Sequence, residues 1–127
     1  ISKAIIDVFK TQLSNYDYEI LFIDNDSQDK TREILRRMCE EDKHIKAIFN
    51  AKNFGQFNSP YYGMLQTTGD CTISMVCDFQ DPVEMIPKYV AEWEKGSLLE
   101  SRPAARRISS YTGLEACITN LSKSFQK

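Results

Sequence analysis

Residues 71–82 read CTISMVCDFQDP, in which an apolar run through Cys77 stops at a polar segment that begins with Asp78. Residues 18–27 read YEILFIDNDS and repeat the pattern, because a second predicted strand stops at Asp24. In open α/β sheets, ligands bind beyond the carboxyl ends of strands, and a hard cation such as Mg²⁺ prefers carboxylate and amide oxygens. Two strands that end in acidic residues therefore predict one polar site at an edge of the sheet.

Strand and helix patterns alternate along the first 96 residues. Helices are predicted over about residues 2–13, 30–41 and 60–68, and strands over residues 18–23, 44–49 and 71–77. Acids from Asp26 to Asp29 should cap the second helix, and Ser59 and Gly69 the third. Asp81 should cap a fourth helix that kinks or restarts near Pro87. This alternation predicts an α/β fold with a mainly parallel sheet flanked by helices.

Composition excludes several classes of protein. No apolar stretch approaches the roughly 20 residues that a membrane-spanning helix needs. The net charge of −2 argues against nucleic acid as the main partner. The four cysteines form no CxxC motif and do not alternate with histidine, so we expect reduced thiols in a cytosolic protein rather than a zinc site or a disulfide framework.

The 127 residues suit one domain, which we divide into a core over residues 1–96 and a basic tail over residues 97–127. In the tail, the spacing of four apolar residues predicts a short final helix: Leu114, Cys117, Ile118 and Leu121. The chain starts without methionine and without a signal-peptide pattern. We therefore expect it to be part of a longer protein.

The residues themselves suggest several candidate ligands. Asp78 and Gln80 would point the same way from an extended backbone and could share a cation; the alternative for Asp78 is that it only satisfies loop amides. Asp24, Asn25 and Asp26 offer acceptors for a nucleoside, although a capped turn explains them equally well, with Asp26 favouring the cap.

Lys52 and His44 are weaker candidates. Lys52 could meet a phosphate or simply be solvated. His44 has no nucleophile nearby in the sequence and receives no catalytic role.

Four segments in this order resemble the family 2 glycosyltransferases: IDNDSQDKT at 23–31, NFGQ at 53–56, GD at 69–70 and DFQDP at 78–82. The likeness is closer to the polyprenyl-phosphate branch, which includes dolichol-phosphate mannose synthases and bactoprenol glucosyltransferases. It covers roughly residues 1–96. It implies a GT-A-type fold that lacks its usual first strand, a nucleotide-diphosphate sugar donor of the UDP-glucose or GDP-mannose type, and Mg²⁺ or Mn²⁺.

The same resemblance implies a lipid phosphate acceptor, inversion at the anomeric carbon, and a cytoplasmic location compatible with peripheral association at the inner face of the membrane. It places Asp24, Asn25 and Asp26 in the nucleoside-binding turn and Lys52 and Asn53 in the loop beside it. Asp78 becomes the catalytic residue and, with Gln80, the metal-binding pair. Val76 stands where the family usually has an aspartate.

Two other functions fit parts of the pattern. One is a remnant that binds a nucleotide sugar without turnover. The other is a phospho-receiver domain with Asp78 as the acceptor, since such domains have about this length and an acidic pair after their first strand. A predicted helix before the first strand, and the lack of a strand-ending lysine after Asp78, rank the receiver well behind the transferase.

Overall fold

The computed structural model describes residues 1–78 and 80–96 in full and residues 114–123 as a backbone strand. Four helices are described: α1 (Ser2–Gln12), α2 (Thr31–Glu41), α3 (Asn58–Met64) and α4 (Ile86–Glu94), the last preceded by a 3₁₀ turn at Val83–Met85. Four strands are described: β1 (Tyr16–Asp24), β2 (Ile45–Phe49), β3 (Cys71–Met75) and β4 (Leu114–Lys123). The α/β class is confirmed.

The four strands form one mixed sheet in the order β2-β1-β4-β3. β1 and β2 pair in parallel, whereas β4 runs antiparallel to both β1 and β3. The prediction of a mainly parallel sheet therefore holds for the direction of three strands but not for the pairing, because β4 lies between β1 and β3. Since β1, β2 and β3 run the same way, their carboxyl ends share one edge of the sheet.

The prediction of a final helix was wrong. Residues 114–123 form β4, which hydrogen-bonds to strands on both sides. The spacing of the apolar residues suits a helix. Local periodicity, however, contains no information about pairing with segments some 45 to 100 residues earlier, and this pairing outweighs the local preference for a helix. Residues 97–113 and 124–127, the remainder of the predicted basic tail, lie outside the described residues.

β1 lies in the core and has apolar residues on both of its faces. Ile20 and Phe22 pack in the main cluster with Phe9 of α1, while Leu21 and Ile23 form a smaller cluster against Ile48. Successive strand residues point to opposite faces, so a strand covered on both sides needs a continuous apolar run. This double burial fixes the position of the turn that follows β1.

α3 differs from its prediction at both ends, since it begins at Asn58 and ends at Met64. Ser59 lies buried inside its first turn and does not cap it, and Gly69 is separated from the helix by the turn after Leu65. The two buried residues of α3 are Ser59 and Gly63, both small, so the helix approaches the sheet closely. Its large apolar side chains point outward.

The start of α4 agrees with the sequence in one respect and not in another. A new helix begins at Ile86 with Pro87 in its first turn, as the proline predicts. Asp81, however, does not cap it, because its Oδ2 accepts the backbone N–H of Val76 at 3.0 Å. Asp81 instead ties the loop after β3 back onto the end of that strand.

Within the described residues, no helix is long and apolar enough to cross a membrane.

Candidate functional site

The polar segments that follow β1, β2 and β3 meet at one edge of the sheet. Met75 of β3 pairs with Cys117, which also pairs with Phe22, so β3 and β1 end nearly level with one another. With one strand between them, the two ends stand about 10 Å apart, two spacings of about 4.8 Å. Residues 24–27, 50–53, 78, 80 and 81 therefore share one edge of the sheet, at separations that a single ligand could span.

Asp24 is fully buried at the start of the first loop and is already paired. Its Oδ2 accepts Nε of Arg32 at 2.5 Å, and its carboxylate also accepts the backbone N–H of Ser27 at 3.2 Å. Its backbone carbonyl accepts the N–H of Asn50 at 2.9 Å. Asp24 thus holds the turn together and joins it to the loop after β2.

Asn25 is also buried and joins the two loops through its side chain. Its Nδ2 donates to Oδ1 of Asn53 at 2.8 Å, and its Oδ1 accepts the N–H of Phe54 at 2.9 Å and Nδ2 of Asn50 at 3.1 Å. Asn50 in turn donates to Oγ of Ser59 at 2.8 Å. This set of bonds fixes the loops after β1 and β2 as one rigid unit.

Asp26 has a left-handed backbone, with φ +72°, which aspartate tolerates better than most residues. Its Oδ1 lies 3.5 Å from Nη2 of Arg32, and it does not cap α2, so the capping interpretation was wrong. Asp29 does bond the backbone N–H of Thr31 at 2.9 Å, and hydrogen bonds from Thr31 lower the pKa of Asp29. The left-handed turn leaves Asp26 partly exposed beside Arg32.

Two groups in the loops are placed where a ligand could meet them. Lys52 is exposed, with Nζ 5.3 Å from the centre of the Phe54 ring. Ser27 Oγ is buried and has no hydrogen-bond partner among the described residues. A buried hydroxyl left unbonded is costly, so this oxygen favours a ligand or water beside the turn.

Asp78 and Gln80 are exposed beyond the end of β3. Asp78 Oδ1 accepts the backbone N–H of Gln80 at 3.0 Å, and the Gln80 side-chain amide donates to Asp78 Oδ2. The two side chains therefore meet through a turn in which Asp78 accepts the backbone N–H of Gln80, not along the extended backbone that the prediction assumed. Their roles as metal ligands and the catalytic role of Asp78 stay predictions.

The donor set of this segment suits a cation shared with a phosphate ligand. Mg²⁺ is commonly held by one or two carboxylates, with substrate phosphates and water completing the shell. Asp78 supplies one carboxylate and Gln80 one amide oxygen, while Asp81 is engaged by Val76. Over residues 1–78 and 80–96, no group of three histidine, cysteine, aspartate or glutamate side chains could hold a metal ion by itself.

A cavity of about 320 Å³ lies at the opposite edge of the sheet, lined by the starts of β1 and β2 and by Thr68 and Gly69. Several of its polar groups are paired with one another, since Lys46 bonds Glu19 and Nε2 of His44 lies 4.0 Å from Oδ1 of Asp17. Because ligands of such sheets bind beyond the carboxyl ends of strands, this cavity is the weaker candidate.

Sequence reasoning missed Arg32, Asn50 and Ser59. Asn50 had a usable signal, because it follows β2 just as Asn25 follows β1. Arg32 lies in a charged helix and looked like part of a solvated face, yet its guanidinium bridges Asp24 and the carbonyl of Asn50. No local pattern distinguishes it from the exposed Arg36 and Arg37.

Comparison with known proteins agrees with the motif order. The chain is 34% identical over 86 residues to the bactoprenol glucosyl transferase of Shigella phage SfX, covering 68% of this chain and 28% of that protein. It is 37% identical over 86 residues to the undecaprenyl-phosphate 4-deoxy-4-formamido-L-arabinose transferase of Enterobacter sp. (strain 638), covering 67% and 26% of the two chains. The transferase of that name from Photorhabdus laumondii is 35% identical over 106 residues, covering 82% and 33%.

The chain thus spans about a quarter to a third of the length of these relatives. No solved structure matches it. The model of "Glycosyl transferase family 2" matches residues 2–105, which contain all four motif segments and both acidic strand ends. A receiver domain is set aside by this match. The chain belongs to glycosyl transferase family 2.

Proposed function

We propose that the protein to which this chain belongs transfers a sugar from a nucleotide-diphosphate donor to a polyprenyl phosphate, with a divalent metal. The observation that carries the proposal is the shared edge of β1, β2 and β3, where two loops bonded through Asn25 and Asn53 face the Asp78 segment. The names of the relatives support the acceptor, because they include bactoprenol and undecaprenyl phosphate. The proposed fold of the whole domain is of the GT-A type.

The donor is proposed to lie across the cleft. The nucleoside would rest on the turn at residues 24–27, where Asp26 is partly exposed and the buried hydroxyl of Ser27 has no bond partner among the described residues. Asp24 and Asn25 support this turn through their own bonds, so they position the nucleoside site rather than reach far into it. Lys52 and Asn53 border the same loop on the side of β2.

The diphosphate is proposed to lie toward β3. Asp78 and Gln80 would hold Mg²⁺ or Mn²⁺, which when bound neutralises charge on the leaving diphosphate. Asp78 is exposed and stays in contact with Gln80, so the pair is already assembled before a ligand arrives. Preassembly of this kind reduces the ordering cost of binding.

The bond changes in the proposed transfer balance without a dedicated base. A phosphate oxygen of the acceptor forms a bond to the anomeric carbon as the bond from that carbon to the diphosphate oxygen breaks. The nucleoside diphosphate leaves with the bonding electron pair. An acceptor phosphate is already ionised near neutral pH, and no proton needs to be removed from it. Attack opposite the leaving group would invert the anomeric centre.

Calorimetry tests donor binding by this chain directly. UDP-glucose and GDP-mannose are titrated with and without Mn²⁺, and Asp78→Ala is compared with Asp7→Ala, a control that removes an exposed carboxylate of α1. We expect metal-dependent heat with at least one donor, loss of the metal dependence in Asp78→Ala, and no change in Asp7→Ala. Absence of heat with every combination would falsify donor binding by this chain.

Binding without turnover is a second candidate, and one observation favours it. The segment after β3 offers a cation one carboxylate, that of Asp78, because Val76 is apolar and Asp81 bonds the Val76 N–H. Replacing Val76 by aspartate should then strengthen Mn²⁺-dependent donor binding. Transfer of labelled sugar to undecaprenyl phosphate by the chain with its native Val76 would exclude this candidate.

A further inference from the structure

The outward face of α3 and the loop before it carry a concentration of exposed apolar side chains, which we name the aromatic surface. Six large side chains within residues 54–65 are each between 39% and 70% exposed: Phe54, Phe57, Tyr61, Tyr62, Met64 and Leu65. Elsewhere among the described residues, Ile34 is the other large apolar side chain exposed to this degree. The aromatic surface is therefore a local feature of this segment.

The orientation of α3 is the reverse of an ordinary surface helix. Such a helix buries its large apolar residues and exposes polar ones. α3 instead buries Ser59 and Gly63 and turns Tyr61 and Leu65, which are 61% and 63% exposed, away from the sheet. The small residues let the helix seat closely on the sheet, so the large ones are not needed for the core. Their outward placement indicates that another apolar surface covers this side of the helix.

Charge in this part of the chain fits an anionic lipid surface. Residues 53–69 contain no charged side chain, and Lys52 immediately precedes them. Lys52 lies at the rim of the aromatic surface, with its ammonium group over the Phe54 ring. Aromatic side chains with a basic residue at the edge are typical of segments that lie in the interface of a bilayer.

The aromatic surface is continuous with the candidate site. Phe54 donates its N–H to Asn25, so one of the six residues is bonded directly to the turn after β1. We propose that the aromatic surface docks on the lipid bilayer and so presents the cleft to an acceptor phosphate at the membrane surface. This inference rests on the proposed function for its purpose, but the docking itself requires neither donor nor acceptor.

Vesicle sedimentation with the 127-residue chain tests the docking. Vesicles of phosphatidylcholine with phosphatidylglycerol, containing no polyprenyl phosphate, are compared with vesicles of phosphatidylcholine alone. We expect the chain to partition into both, more strongly into the anionic ones. The partition of Lys52→Gln onto anionic vesicles should be about fivefold weaker than that of the unchanged chain, since one lysine near such a surface contributes about 1 kcal/mol. Its partition onto phosphatidylcholine alone should be unchanged.

Matched variants identify the surface involved. Phe57→Ser with Tyr61→Ser should weaken partition by about tenfold or more, because two large apolar side chains lose their contact with lipid. Ile34→Ser removes a similarly exposed apolar side chain from α2 and should leave partition unchanged. Circular dichroism and thermal melting confirm that each variant is folded.

Three results would overturn the proposal. The first is that the chain sediments with neither kind of vesicle, and the second is that the double variant sediments as strongly as the unchanged chain. The third is a dimer in sedimentation equilibrium that the double variant abolishes, while the chain binds no vesicles. The last would assign the aromatic surface to a second copy of the chain. None of these results affects donor binding measured by calorimetry, so the proposed function can survive the failure of this inference. Conversely, absence of donor binding in calorimetry would leave docking on vesicles unaffected.

Discussion

Replacing Arg32 with methionine should destabilise the fold far more than an ordinary surface substitution. The Asp24 carboxylate is fully buried, and Arg32 is its charged partner at 2.5 Å, with a side chain 28% exposed. Removing one partner of a fully buried ion pair costs about 3–5 kcal/mol, because the other charge is left in a poorly solvated place. Partial exposure of Arg32 lets water reach the site, so we expect about 2–3 kcal/mol here.

Urea unfolding followed by circular dichroism measures this loss. With a denaturant slope of about 2 kcal/mol per M, the midpoint should fall by about 1–1.5 M. Arg37→Met is the matched control, since Arg37 lies 3.8 Å from Glu41 with both side chains more than two-thirds exposed. Such a pair contributes about 0.3–0.5 kcal/mol, so the control midpoint should hardly move.

A second variant separates the ion pair from other effects of the substitution. Asp24→Asn with Arg32→Met removes the buried charge together with its partner, so the double variant should be more stable than the sum of the single losses predicts. Equal midpoints for Arg32→Met and Arg37→Met would refute the reasoning. The reasoning would also be refuted if the double variant lost as much stability as Asp24→Asn and Arg32→Met lose when their separate losses are added.

Three further perturbations have defined outcomes. Asn25→Ala removes the side chain that bonds Asn53, Asn50 and Phe54, and should lower the free energy of unfolding in urea by about 2–3 kcal/mol. No loss would show that the loops are joined by contacts other than those of Asn25. The backbone N–H of His44 lowers the pKa of Asp42, so the stability advantage over Asp42→Asn should be complete above about pH 4 and shrink as pH falls through the native pKa; an advantage that persists below about pH 2 would contradict this. Burial and the hydrogen bond to Glu94 raise the pKa of Tyr16 to about 12, so ultraviolet titration should show a late tyrosine signal, part of which moves to lower pH in Glu94→Gln.

The sequence predicted the elements of the first 96 residues well because their patterns are local. Apolar spacing located α1 and α2 to within a residue or two, and Pro87 marked the restart of the last helix. Motif order indicated the family before any fold was known. These signals depend on neighbours a few residues apart, which a single sequence displays directly.

Features that depend on distant contacts could not be predicted in the same way. The strand at 114–123 is defined by its pairing with β1 and β3, and its own spacing resembles a helix. Arg32 acquires its role only because β2 brings Asn50 beside Asp24. The side of α3 that meets the sheet is set by its small residues, Ser59 and Gly63, and not by its large apolar ones.

The most direct test of the proposed site is to locate a bound metal on the folded chain. Mn²⁺ is added with UDP or GDP to the ¹⁵N-labelled protein, and paramagnetic broadening of the amide signals is recorded against a Mg²⁺ reference. Broadening should centre on Asp78, Gln80 and Asp81, extend to residues 24–27 and 50–54, and leave residues 43–46 at the opposite edge sharp. Broadening centred on residues 43–46, or an unchanged pattern in Asp78→Ala, would contradict a nucleotide-and-metal site at the carboxyl ends of the strands.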